Sequence, residues 1–185
     1  MMRLPHLLLL LLFAATCACT GPRDAHEVTP AGDARGGSAA APASMTELDW
    51  LDMLPPEELA ALQRGDGPAI EHRGRQQMPQ YGTFHTVAGV LDRPVRLPGY
   101  VVPLDTTGDG RLRGFLFVPY FGACIHVPPP PPNQIVLVQL AEPIPMPDMY
   151  SPFYLDGHLR ADRMEGALAG SAYRMDGAVL RPYRP

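Results

Sequence analysis

The chain has 185 residues, room for one ordinary domain or for one small domain with a targeting segment and a linker, which excludes two full domains. Its 18 glycines and 23 prolines, nearly double the usual share, exclude a bundle of long helices and favour a loop-rich or short-stranded fold. All 15 basic residues are arginines; set against 19 acidic residues they leave a net charge of −4, the wrong sign for a nucleic-acid binder.

The chain opens MMRLPHLLLLLLFAATCAC, with Arg3 ahead of an apolar run from Leu7 to Ala15 and small residues around two cysteines. The run is well short of the roughly 20 residues a membrane span needs, so the segment reads as a signal peptide. Small residues before a cysteine form a bacterial lipobox, in which the thiol is acylated and becomes the new N-terminus. Residues 1–19 are therefore assigned as a lipoprotein signal, with Cys19, preceded by Ala18, as the lipid attachment site and Cys17, preceded by Thr16, as the less favoured alternative. Two or three acyl chains make a lasting anchor, whereas one binds marginally. Cys19 is followed by Thr20 and Gly21 and not by aspartate, so the expected address is the periplasmic face of the outer membrane in preference to the inner.

Residues 20–44 are rich in Ala, Gly, Ser, Pro and Thr without apolar periodicity, which reads as a flexible tether reaching about 25–30 Å. In residues 45–84, Leu48, Leu51, Met53 and Leu54 surround Trp50, and PPEE is a proline-led acidic helix start. Two short helical turns broken at Pro55–Pro56 are expected, followed by a polar surface loop.

From residue 85 to 185 short β-branched and aromatic runs alternate with Gly, Pro and Asp, the pattern of a small all-β domain. Strands are expected at Thr86–Val90, Val95–Leu104, Leu112–Val118, Ile135–Leu140, Phe153–Leu159 and Ala172–Leu180, the last folded as a hairpin at Asp176–Gly177. No amphipathic helix separates them, so the fold class is an all-β, OB-like Greek-key barrel of five or six strands, with a sandwich as the alternative. Asp105, Thr107, Asp109 and Gly110 resemble the start of a calcium loop. Leu116 occupies the position where such a loop needs a bidentate Glu, so the segment reads as a hairpin turn.

The unusual segment is VPYFGACIHVPPPPPNQIVLV, Val118 to Val138. Pro128 to Pro132 form a polyproline rod of about 15 Å without backbone donors. Cys124 and His126 are spaced to share one side of an extended backbone. The pair can be two ligands for zinc or copper(I), with His85, Asp156 and His158 as candidate further ligands. It can also be an imidazole-activated thiol, or simply packing. Met146 and Met149 suit copper(I) or fill an irregular part of the core. A third possibility is a binding loop, Tyr120, Phe121, Pro128, Pro132, Asn133 and Gln134, whose rigid rod docks a partner. No phosphate loop, nucleophile elbow or His-Glu-x-x-His helix is present, and the sequence points away from an enzyme.

The strings RLPGYVVPLD (96–105), FLFVPYFGACIHVPPPPPNQIVLV (115–138) and AYRM (172–175) together resemble the bacterial family known as domain of unknown function 3299. The likeness runs from about Asp49 to Tyr183. It implies secreted proteins or lipoproteins of Gram-negative bacteria with small β-barrels, often encoded beside ABC transporters of the lipoprotein-export or tripartite-efflux type and in places linked to zinc supply. It brings no catalytic or binding residues with it. The expected function is thus a lipid-anchored periplasmic binding or accessory protein working with ABC-type transporter components in divalent-metal homeostasis. A thiol-active protein built on Cys124 and a polyproline scaffold are the alternatives.

Overall fold

A computed structural model describes residues 45–66, 79–124 and 128–184. In chain order these form strand β1 (Thr46–Glu47), a 3₁₀ turn (Trp50–Met53), helix α1 (Pro56–Arg64), a second 3₁₀ turn (Ala88–Val90), β2 (Pro94–Thr106), β3 (Leu112–Val118), a third 3₁₀ turn (Pro132–Gln134), β4 (Val136–Ile144), β5 (Phe153–Met164) and β6 (Ser171–Pro182). Cys17, Cys19 and the tether lie outside the described residues. Among the described residues no helix is long and apolar enough to cross a membrane.

Five strands close on themselves in the order β2-β3-β4-β6-β5, with β5 returning to β2 and β1 added in parallel at the edge of β2. β4 and β6 run parallel and the other barrel pairs antiparallel, which is the Greek-key order of an OB barrel. Closure depends on β2 serving two neighbours. Its first half, Pro94 to Gly99, pairs with β5, and its second half, from Tyr100, pairs with β3. Gly99 stands at the change of partner, where a Cβ would lie 2.6 Å from the Val118 carbonyl oxygen and 2.8 Å from the Phe117 ring. Only glycine lets the two backbones come this close.

β3 is buried on both faces, and for that reason it reads as a nearly continuous apolar run. Phe115 and Phe117 point into the barrel with Val95, Leu97, Val101, Leu155 and Tyr173. Leu116 and Val118 point outward, where Ala123, Ile135 and Ala169 cover them in a second core.

One end of the barrel is plugged by the N-terminal turns. The Asp49 side chain caps the first 3₁₀ turn by accepting from the Leu51 amide, and the Asp52 carboxylate accepts from the Asp49 amide, a reciprocal capping box. The turn carries Trp50 and Met53 into the barrel core, and the indole Nε1 donates to the Pro98 carbonyl at 2.6 Å. The Tyr173 hydroxyl donates to the Met53 carbonyl at 3.0 Å and accepts from the Val87 amide at 2.8 Å. Leu48, Trp50 and Met53 thus belong to the barrel's core, whereas α1 buries no residue.

Two expected elements differ. Thr86–Val90 is not a strand: Ala88–Val90 is a 3₁₀ turn that drops Val90 into the plug, and the chain then reverses at Asp92, φ 61, whose amide donates to Leu159. Asp176–Gly177 is not a hairpin. β6 runs unbroken, and between the pairs His158 to Asp176 and Asp156 to Val179 it carries one extra residue. Gly177, at φ 62, accommodates this bulge. Asp105 to Leu112 does contain a hairpin turn, closed by the Thr107 and Arg111 backbones and spanned by an Arg113–Asp105 ion pair.

Candidate functional site

The long connection between β3 and β4 begins with Tyr120 and Phe121, turns at Gly122 (φ 79) and places Cys124 in the left-handed region at φ 67, a conformation uncommon for a residue other than glycine. Cys124 is half-buried against the second core, and burial pushes its thiol up to about 11. An activated thiol requires the opposite shift. His126, the expected activator, lies outside the described residues. The Tyr120 hydroxyl donates to the Pro128 carbonyl at 3.2 Å and so ties the two ends of this turn.

Past Cys124, the prolines do not form an exposed rod. Pro130, Pro132, Asn133 and Gln134 are buried, which corrects the reading of Pro132, Asn133 and Gln134 as a docking surface. Proline can be buried here because it has no N–H to orphan and its carbonyls find donors, the Gln80 side chain for Pro130 and the Ile135 amide for Pro132. The Gln80 amide donates to Pro130 at 2.8 Å and to Gly170 at 2.9 Å, while its oxygen accepts from the Gly170 amide at 2.7 Å. Gln134 donates to the Trp50 carbonyl at 2.6 Å. Asn133 donates to Glu58 at 2.9 Å and to the His85 carbonyl at 3.3 Å. The polyproline–Asn–Gln string is therefore a latch that holds the N-terminal plug and the turn before β6 in place.

The expected metal ligands among the described residues, Cys124, His85, Asp156 and His158, do not form a cluster. His85 is exposed beside Glu58, with Nδ1 3.6 Å from the carboxylate. Asp156 is buried on β5 with both oxygens taken by Arg96 and Arg181. His158 is exposed on β5 opposite Pro94 and Asp176. Cys124 sits elsewhere, against Val102, Leu116 and Val118. Among the described residues no group of three or more His, Cys, Asp or Glu could hold a metal ion.

An aromatic surface is present instead. Phe121 and Tyr150 are 47% and 77% exposed, with ring centroids 5.4 Å apart, and Phe121 meets Tyr100 edge-on at 6.1 Å. With Met149 and the backbone at Gly122 and Ala123 they border a hollow of about 80 Å³ beside the point where β2 changes partner. Tyr120 and Met146 are also exposed. Of the predicted binding loop, Tyr120 and Phe121 are exposed, Pro128 is half-buried, and Pro132, Asn133 and Gln134 are buried. Tyr100 and Tyr150 carry no sequence signal, because what joins them to Phe121 is the fold.

The profile of a protein family of unknown function, DUF3299, matches residues 50–182. The chain belongs to the DUF3299 family. The crystal structure of a DUF3299 family protein from Pseudomonas aeruginosa PAO1 is similar at 35% identity and a TM-score of 0.58, over 77% of this chain and 98% of that one. No curated protein matches the chain. The matched DUF3299 region spans the plug, the latch and all five barrel strands, so the polyproline latch lies within the family's fold.

Proposed function

We propose that this DUF3299 protein is a membrane-tethered accessory module that binds a protein partner through the aromatic surface around Phe121. The observation that carries the reading is that surface: the rings of Phe121 and Tyr150 in contact and exposed beside exposed Met149, with Phe121 resting edge-on on Tyr100, which packs against the second core. Aromatic and methionine side chains clustered in this way are typical of interface anchors, and ring contacts lower the entropy lost on docking.

The lipobox at Cys19 and the following tether support a periplasmic, lipid-anchored address, with the outer membrane favoured. The family resemblance makes an ABC-type transporter component the partner class, and divalent-metal homeostasis is the process that partner would bring. Direct zinc or copper(I) ligation has only the spacing of Cys124 and His126 in its favour. The absence of a catalytic motif in the sequence agrees with a role in binding.

The test is site-specific photo-crosslinking in cells, with the crosslinker at position 121, at 150, and at Leu62 on exposed α1. Positions 121 and 150 are expected to trap the same transporter component, and a Phe121→Asp, Tyr150→Asp chain should fail to compete for it. Equal trapping from position 62, or none from 121, overturns the reading.

A further inference from the structure

On the outer face of β2, β5 and β6, two arginines hold one buried carboxylate and a third lines the same cleft. Asp156 faces Arg96 across the β2–β5 ladder, and its side chain is only 4% exposed. Its Oδ1 accepts from Arg96 Nε at 2.7 Å. Its Oδ2 accepts from Arg96 Nη2 at 2.7 Å and from Arg181 Nε at 2.8 Å. The bidentate Arg96 pair alone would neutralise this carboxylate, so Arg181 is a second guanidinium on one negative charge. Arg184 adds a third cation on the same rim. Exposed Glu47 lies close enough to act on Arg96 electrostatically and is the opposing charge at this edge. Counting Asp156 and Glu47 against the three arginines, the described residues of the cleft carry a net positive charge.

Arg96 Nη1, both Nη groups of Arg181 and the whole Arg184 guanidinium have no partner among the described residues. They border a hollow of about 410 Å³ whose other walls are Tyr154, Leu180 and Pro182. Arg96 is further fixed over the Tyr154 ring, 5.1 Å from its centroid, and Tyr154 is backed by Tyr183 at 4.8 Å. Two guanidiniums held by a buried carboxylate and a ring lose little freedom on binding, and planar N–H forks suit oxyanions.

We propose that this cleft binds an oxyanion, a carboxylate or a phosphoryl group, carried on a small body that rests against Tyr154, Leu180 and Pro182. The site is independent of the aromatic surface around Phe121 and survives if that docking reading fails. The shared chemistry is the anion, and the two sources differ in charge and shape.

The experiment is a titration of the full-length chain, isotope-labelled in its arginine side chains and held in detergent, with inorganic phosphate and separately with acetate. The Nε–H signals of Arg96 and Arg181 are expected to shift saturably, while that of Arg113, paired with Asp105 elsewhere, stays fixed. Tighter saturation by phosphate assigns a phosphoryl ligand, and tighter saturation by acetate a carboxylate. Arg181→Gln leaves the Arg96–Asp156 pair to hold the strands and should weaken binding about tenfold or more, as expected for loss of a charge-assisted contact. Arg184→Gln should weaken it less. Failure of both anions to saturate, an equal shift at Arg113, or unchanged binding by Arg181→Gln overturns the proposal.

Discussion

The side-chain amide of Gln134 donates to the main-chain carbonyl of Trp50 across 84 residues of sequence at 2.6 Å, and both groups are buried. This bond joins the end of the polyproline latch to the turn that plugs the barrel. Gln134→Leu should leave the Trp50 carbonyl without that donor and cost about 1–3 kcal/mol. Urea unfolding followed by fluorescence of Trp50, the chain's one tryptophan, checks this. An unchanged midpoint would show that the latch is dispensable.

Asp156 makes stability depend on pH in a definite direction. Hydrogen bonds from Arg96 outweigh desolvation and, with those from Arg181, hold its carboxyl below the ordinary 3.8. A carboxylate with a depressed folded value contributes fully above its unfolded value and loses that contribution as pH falls through the folded one. The unfolding midpoint should therefore drop as the solution is acidified below about pH 4, and Asp156→Asn should be less stable at neutral pH and flatter in that acid window. Parallel acid curves for the two proteins would remove Asp156 as the cause.

The sequence makes β3 legible because both of its faces are buried from Gly114 on, so the apolar run Phe115–Val118 marks it even though Arg113 is exposed. The barrel class and the helical turns around Trp50 are legible in outline, while the strand order and the packing of those turns into the barrel's end are not, because both depend on long-range pairing. Thr86–Val90 misleads because its β-branched residues serve a plug, where packing overrides strand propensity. Asp176–Gly177 misleads because a glycine with positive φ suits a hairpin turn and a bulge equally, and only the continuing partner strand β5 decides between them. The proline rod is visible in the sequence while its burial is not, since a segment without N–H groups is as compatible with the interior as with solvent. The aromatic surface and the arginine cleft are each assembled from separate strands and loops, which a single sequence does not connect.

Gly99 marks where β2 exchanges one neighbour for another, and the contact it permits is with backbone, which cannot turn aside as a side chain can. Gly99→Ala should force β2 and β3 apart and cost about 1–3 kcal/mol, the range for overpacking a filled site. Gly89→Ala, where nothing lies within 4 Å of the added carbon, is the matched control and should be close to neutral. Thermal unfolding of the two variants compares them directly, and equal midpoints would deny Gly99 its role in closure.

Cys124 separates the packing reading of the FGACIH string from the reactive one. Moving a thiol from its ordinary 9.0 to about 11 lowers the thiolate fraction at neutral pH about a hundredfold, and the thiolate is the attacking species. Iodoacetamide should therefore label folded Cys124 far more slowly at pH 7 than it labels the urea-unfolded chain, with the rate still climbing above pH 10. Because the folded value is raised, the buried thiol stabilises the fold below pH 9 and loses that contribution as pH climbs toward its folded value. Adding zinc should leave the folded rate unchanged if Cys124 only packs against Val102 and Leu116. Protection by zinc that disappears in His126→Ala would restore metal ligation, and fast labelling at neutral pH that depends on His126 would restore the activated thiol.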